Sequence, residues 1–180
     1  MFIHGAQHDH SVWILQARYL AHHGFDVLAV DLPGHGRSAG PALASIGDMS
    51  DWVAQCVRAS GIGPAVLCGH SMGSLIALEA ASQAAGPRPG PDTGVQGAAP
   101  AIKRLVMVGT AYPMKVSAAL LQTALDDPLR GMKLVNQLSI STHASKPSHP
   151  GPGFSLHGGN LALMRRTHAR YGAGNLFHAD

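Results

Sequence analysis

The feature that most narrows the possible folds is a turn. Residues 69–73 read GHSMG, between a short apolar run at 65–68 (AVLC) and a stretch of small, helix-compatible residues over 73–85. Gly-x-Ser-x-Gly gains meaning in this setting of strand, sharp turn and helix. On such a turn Ser71 projects its hydroxyl from the carboxyl end of a sheet. Gly69 and Gly73 keep side chains out of the space where strand and helix meet. The amide of Met72 then lies at a helix N-terminus, where free N–H groups and the helix dipole favour a developing negative charge. The plainer alternative is an ordinary strand-to-helix turn with a capping serine.

The rest of the chain supplies the layers such a turn needs. Phe2-Ile3 reads as the end of an apolar strand running into His4-Gly5, and Ala6, the first residue after it, is placed to offer a second backbone donor to an oxyanion. Ser11 is expected to cap a helix carrying Val12, Trp13, Ala17, Leu20 and Ala21, closed by His22-His23-Gly24. Residues 25–30 (FDVLAV) and 65–68 suit strands buried on both faces, and 102–108 (IKRLVMV) is a further strand. Between them, 45–59 carries Ile46, Met49, Val53, Cys56 and Val57 at helical spacing. Residues 31–41 (DLPGHGRSAGP) and 86–100, with eight Gly or Pro in fifteen positions, are loops. Beyond Ala111 the pattern is helical only, over about 116–125, 128–139 and 161–170, with Asp127 before Pro128 and Asn160 before Leu161 as helix starts. Strands alternating with helices predict an α/β fold, a mostly parallel sheet flanked by helices and followed by a helical region.

Four blocks, HGAQHDHSVW, VDLPGHGRS, GHSMG and KRLVMVGT, in this order and spacing, resemble the α/β-hydrolase superfamily in its serine-nucleophile branch. The similarity covers residues 2–110. It implies a partial hydrolase core over 1–110 and a cap or lid over 111–180, within a fold whose complete members have eight strands. It also implies Ser71 as the nucleophile, Met72 and Ala6 as donors of the oxyanion amides, and His4, Asp31 and the 33–36 turn as loop-shaping positions. The corresponding reaction is hydrolysis of an ester, an amide or a thioester through an acyl-enzyme on Ser71. An Ala-, Leu- and Met-rich helical tail suggests a small substrate with an apolar acyl group. In family order, 25–30 and 102–108 occupy the two edges of the four-strand block. Such apolar edges invite self-association or a complementing chain.

The chain also departs from that pattern. The family places the acid and then the histidine after the nucleophile, and neither is assignable here. Gly109-Thr110-Ala111 follows the 102–108 strand where some members carry the acid, and Asp126-Asp127 fall in a helical stretch. His143, His149, His157, His168 and His178 come later, but none follows a strand. A serine hydroxyl without a base is unreactive near neutral pH, so weak turnover is expected of a chain that reads as a fragment or reduced variant. The competing function is a non-catalytic binding module or inert remnant.

Composition trims the remaining classes. Charged residues are 13% of the chain, against about 25% ordinarily. The net charge is +3 and the adjacent basic pairs are Lys103-Arg104 and Arg165-Arg166, too dispersed for a nucleic-acid face. No apolar run approaches the ~18 residues that span a bilayer. Cys56 and Cys68 match no disulfide or metal framework, which fits reduced thiols and a cytoplasmic location. His4, His8, Asp9 and His10 fall within seven residues without a metallohydrolase spacing, and are expected to pack within their loop. Gly34-x-Gly36-x-x-Ala39 formally matches a dinucleotide fingerprint, but Pro33 and Pro41 bracket it and no helix opens on its glycines. Neither a metal nor a cofactor is expected.

Overall fold

Alternation along a single strand divides the molecule into two unequal faces. In the computed structural model, which describes residues 1–61, 63–85, 102–139 and 156–171, strand β3 (Ala65–His70) buries Leu67 and Gly69 on one side. On the other side Val66 is 41% exposed and Cys68 is half-buried. Strands β1 (Phe2–Ile3), β2 (Ala29–Val30) and β4 (Ile102–Val108) complete a wholly parallel sheet in the order β2-β1-β3-β4. The expected α/β class holds, and the segments expected at the two edges are the edges.

A 3₁₀ turn (His10–Trp13) leads into α1 (Ile14–His22), and α2 (Ile46–Ala59) and α3 (Met72–Ala85) follow. Beyond β4 come α4 (Ala118–Asp126), α5 (Pro128–Ser139) and α6 (Leu156–Tyr171). The core lies where α2 and α3 pack on the Leu67 face. Met49, Val53 and Val57 of α2 meet Ile76, Ala77 and Ala80 of α3, with Ile3, Val30, Leu32 and Leu67 beneath. Burying each large side chain there contributes about 1.5–3 kcal/mol, so this face carries most of the apolar stabilisation of the described residues.

The opposite face is thinly covered. Helix α1 fully buries none of its residues, and an apolar groove of about 950 Å³ separates it from the sheet, lined by Trp13, Leu15, Tyr19, Val66, Cys68 and Val106 among others. The expectation that 65–68 is buried on both faces therefore fails. The reason is non-local, because burial of the second face depends on what packs against it.

The 25–30 strand shrinks to Ala29–Val30, leaving Phe25 62% exposed, because its partner β1 offers only Phe2 and Ile3 to the ladder. The Phe2 amide reaches one residue further, to the Leu28 carbonyl at 2.8 Å.

Helix ends follow their capping chemistry, with two corrections. Asp9 rather than Ser11 caps the first helical segment, its carboxylate accepting from the Ser11 amide at 2.9 Å and from the Ser11 hydroxyl. Asn160 lies inside α6 and not at its start. Asp127 does start α5, accepting from the Arg130 amide at 3.0 Å. The glycine-rich loop at 86–100 lies outside the described residues.

At α2, the Ser45 hydroxyl accepts from the Asp48 amide at 3.0 Å and donates to the Asp48 carboxylate at 2.8 Å. Ser45→Ala removes this reciprocal cap and is expected to cost about 1 kcal/mol. Urea unfolding should show a lower midpoint at unchanged slope, and an unchanged midpoint would show that the cap contributes nothing.

Candidate active site

Ser71 is a single left-handed residue between the last residue of β3 and the first of α3, with φ 53°. For a residue with a Cβ this conformation costs roughly 1–2 kcal/mol, so its surroundings must hold it. Its amide donates to the Val108 carbonyl of β4 at 2.9 Å, and its carbonyl accepts from the Ser74 amide at 2.9 Å and the Ser74 hydroxyl at 2.5 Å. The Thr110 hydroxyl donates in turn to Ser74 Oγ at 2.6 Å.

The flanking glycines are sterically required. A Cβ on Gly69 would stand 2.1 Å from the Gly73 carbonyl oxygen, and one on Gly73 would stand 2.4 Å from the Ile3 carbonyl oxygen. Helix α3 thus approaches β3 and β1 backbone to backbone. Sequence reading identified the turn and both glycines, but not Ser74 or Thr110. A hydroxyl that braces a turn from 36 residues away leaves no local pattern.

The loop after β1 lies directly against this turn. A Cβ on Gly5 would meet Ser71 Cβ and His70 Nδ1, each at 3.1 Å. Ala6 follows, half-buried against the core, and Met72 is buried at the head of α3. Its amide belongs to the first helical turn, whose N–H groups have no intrahelical acceptor. The structure therefore brings together the elements carrying Ala6, Ser71 and Met72. Met114, which the sequence did not flag, places its sulfur 4.0 Å from Ser71 Oγ.

His4 and Asp31 organise the loops behind the site, as expected. The Leu32 amide donates to His4 Nε2 at 3.1 Å, so His4 Nδ1 carries the proton and donates to the Gly5 carbonyl at 2.8 Å. Burial, reinforced by the nearby His35, lowers the His4 pKa from 6.5 to about 3. The Asp31 carboxylate accepts from the His10 amide at 2.6 Å, the His10 ring at 2.8 Å and the Arg37 amide at 2.8 Å. A Cβ on Gly36 (φ +51) would stand 2.3 Å from the Asp31 carboxyl carbon. Of the glycines resembling a nucleotide fingerprint, Gly36 closes over an aspartate and Gly34 abuts Ala42, and the helix opens only at Ile46.

The histidine-rich segment 4–10 is packed rather than clustered. His8 is buried, which lowers its pKa against the pull of Asn160, Asp9 and the Ala6 backbone. His70 is shifted the same way by burial and by His8, its ring edge-on to those of His8 and Trp13. For Asp9, burial raises the pKa, but donation from the Ser11 hydroxyl and amide and from Arg166 outweighs it and holds the carboxyl below its ordinary range.

Asp9, His10 and Asp31 bring one ligand-type atom each within 4.8 Å of one another. Asp9 and Asp31 are already engaged by donors, Asp9 by the Arg166 guanidinium at 3.0 Å and Asp31 by the His10 ring at 2.8 Å. This trio reads as a structural hub. Of the later histidines, His168 has a described side chain, on α6. His143, His149 and His178 lie outside the described residues.

Residues 1–150 match the family model of the alpha/beta hydrolase fold. The chain belongs to that family. Among curated relatives of this α/β hydrolase, the (E)-2-((N-methylformamido)methylene)succinate hydrolase of Acinetobacter baylyi is 40% identical over 77 residues, 42% of this chain and 29% of its own. The dihydrolipoyllysine-residue acetyltransferase component of the acetoin cleaving system of Cupriavidus necator is 40% identical over 86 residues, 47% of this chain and 22% of its own. An esterase from Exiguobacterium antarcticum superposes with a TM-score of 0.72 at 19% identity, over 99% of this chain and 63% of its own. The chain thus spans under a third of these curated relatives and about two thirds of that structure.

Two outcomes test the site's architecture. Gly73→Ala forces a methyl into the Ile3 carbonyl, and is expected to abolish the folded state or cost several kcal/mol, as overpacking without room to relax does. A variant with native thermal stability would refute the close approach.

The second test is acid titration. His4, His8 and His70 all take up protons more readily unfolded than folded, so their contribution to stability is present above pH 6.5 and lost as pH falls, for His4 down to about 3. Ring NMR should find His4 neutral at pH 5, with a lower unfolding midpoint there than at pH 7. A His4 ring titrating near 6.5 would contradict the arrangement.

Proposed function

We propose that this α/β hydrolase acts on an ester, amide or thioester through an acyl-enzyme on Ser71. The observation that carries the reading is the backbone of Ser71, a non-glycine residue at φ 53° held between strand and helix by two glycines with no room for a Cβ. Strain of this kind persists where surroundings over-determine it, and concentrates at functional sites. In the reaction Ser71 Oγ attacks the acyl carbon, its proton passes to a base, and the leaving group departs. Water then releases the acyl group. The Ala6 and Met72 amides are the donors to the tetrahedral oxyanion; loss of one such donor typically costs about 10²–10³ in turnover.

The substrate class follows from the surroundings. Met114 at 4.0 Å from Ser71 Oγ offers a soft apolar neighbour, and α4–α6 would act as a cap over an apolar acyl group. Two similar proteins are named for hydrolysis, a succinate-derivative hydrolase and an esterase. A third is named for acetyl transfer.

The second reading, a non-catalytic module, has its own support. Among the described residues no imidazole is hydrogen-bonded to Ser71 Oγ, which faces the Met114 sulfur at 4.0 Å. Without the rest of a triad, catalysis falls to about 10³–10⁴-fold over water. A fluorophosphonate probe separates the readings. Covalent labelling of the folded chain, mapped to Ser71 and abolished by Ser71→Ala, is the expected result, and an unlabelled folded chain would favour the non-catalytic module.

A further inference from the structure

We propose that helix α6 positions the loop carrying the Ala6 amide, through a hydrogen-bond latch of His8, Asn160 and Asn136 joined by the Asp9–Arg166 pair. The inference rests on the serine-hydrolase reading only for what the loop does, and on geometry for what holds it.

The loop needs holding. Gln7, between Ala6 and His8, has φ 62° and is 1% exposed. Neither polar atom of its buried amide has a hydrogen-bond partner among the described residues. A strained backbone and an unsatisfied amide both favour rearrangement. Gly5, immediately before Ala6, is a permissive pivot about which the Ala6 peptide can turn. On one side Gly5 is confined by Ser71 and His70, where any Cβ would stand 3.1 Å away. The other side has no strand or helix of its own until the 3₁₀ turn begins at His10.

Helix α6 supplies that second anchor. Leu163, Met164 and Thr167 are buried, and with the half-buried Asn160 they form one face at helical spacing. From this face Asn160 Oδ1 accepts from His8 Nε2 at 2.6 Å, and Asn160 Nδ2 donates to Asn136 Oδ1 of α5 at 2.9 Å. With its Nδ2 turned to Asn136, Asn160 presents Oδ1 to His8. That leaves His8 as the donor, so its Nε2 bears a proton. Arg166 then donates to Asp9 Oδ2 at 3.0 Å.

Two consecutive loop residues are thus tied to one helix more than 150 residues away. Asn160 cannot move without leaving a buried imidazole N–H unpaired. His8, Asn160 and Asn136 are positioning residues, acting through the backbone that carries Ala6.

The test uses the full chain, isotope-labelled for backbone relaxation, with the fluorophosphonate probe as a second readout. Asn160→Leu removes both bonds at similar volume. It should lower order parameters at Ala6 and Gln7 from ~0.85 to below ~0.6 while Ile76 and Ala77 of α3 stay rigid. The maximal labelling rate should fall about tenfold, as expected for one lost buried hydrogen bond, with the half-saturating probe concentration little changed. Asn160→Asp keeps the acceptor for His8 and should restore most of both. Arg166→Met, at an exposed guanidinium, should loosen the loop in the same direction by less, and serves should Asn160→Leu not fold.

Rigid Ala6 and Gln7 in the folded Asn160→Leu chain would overturn the proposal. So would equal softening of Ile76 and Ala77, which marks general destabilisation. A native chain that never labels would refute the nucleophile instead, leaving the relaxation data to decide the latch.

Discussion

Backbone contact without intervening side chains is the constraint on which the rest depends. At Gly69 and Gly73, helix α3 sits so close to β3 and β1 that a methyl at either position would stand within 2.4 Å of a carbonyl oxygen. That approach leaves the connecting residue no extended or right-handed route, and Ser71 takes the left-handed one. The strain is modest, yet isolated turns would relax it. Here the Val108 carbonyl, Ser74 and Thr110 hold both peptide groups of Ser71, and the Leu67–Ile76 core behind them resists any withdrawal of the helix. A hydroxyl so placed is directed by the fold, not by its own rotamer preference.

Behind the turn, two polar groups do what secondary structure does elsewhere. The long segment between β2 and α2 has no ladder of its own, and a buried loop must still pair its amides. Asp31 accepts from the His10 and Arg37 amides, while His4 accepts from Leu32 and donates to Gly5. Each is buried and fully engaged, so removing either would strand partners in the interior, where an unpaired group costs about 1–3 kcal/mol. Gly36 exists to let the chain close over the Asp31 carboxylate. A pattern that imitates a phosphate-binding turn therefore has an internal anion as its ligand.

What could be read from the sequence was what is local. The turn at 69–73 carries its own signal because two glycines and a serine meet a steric need within five residues. The bounds of β4 and α5 agree with expectation for the same reason, since an apolar run and the Asp127-Pro128 start are short-range features. Burial departs from expectation where it depends on distant partners. Residues 65–68 are apolar on both faces, but only the one under α2 and α3 is sealed. Asn160 looked like a helix start because asparagine favours that position, and its pairing with His8 across 152 residues has no trace in spacing. The Thr110–Ser74 bond and the approach of Met114 to Ser71 are long-range in the same way.

The histidines show how far the serine's surroundings constrain its chemistry. A general base needs a free ring nitrogen and a pKa near the working pH. Among the described residues near the turn, His4 has both nitrogens committed and stays neutral down to about pH 3. His8 donates from Nε2 to Asn160, and burial lowers its pKa. His70 is wedged, with Nδ1 3.1 Å from where a Gly5 Cβ would stand and Nε2 3.5 Å from that of Gly109. Burial lowers the pKa of all three, making each a weaker base than a free imidazole. Their packing holds the loop after β1 against the Ser71 turn, and a buried ring with a lowered pKa takes up a proton less readily than a free one. The base that the proposed acyl-enzyme mechanism demands is therefore not His4, and the side chain set beside Ser71 Oγ, Met114, offers a sulfur and no basic nitrogen.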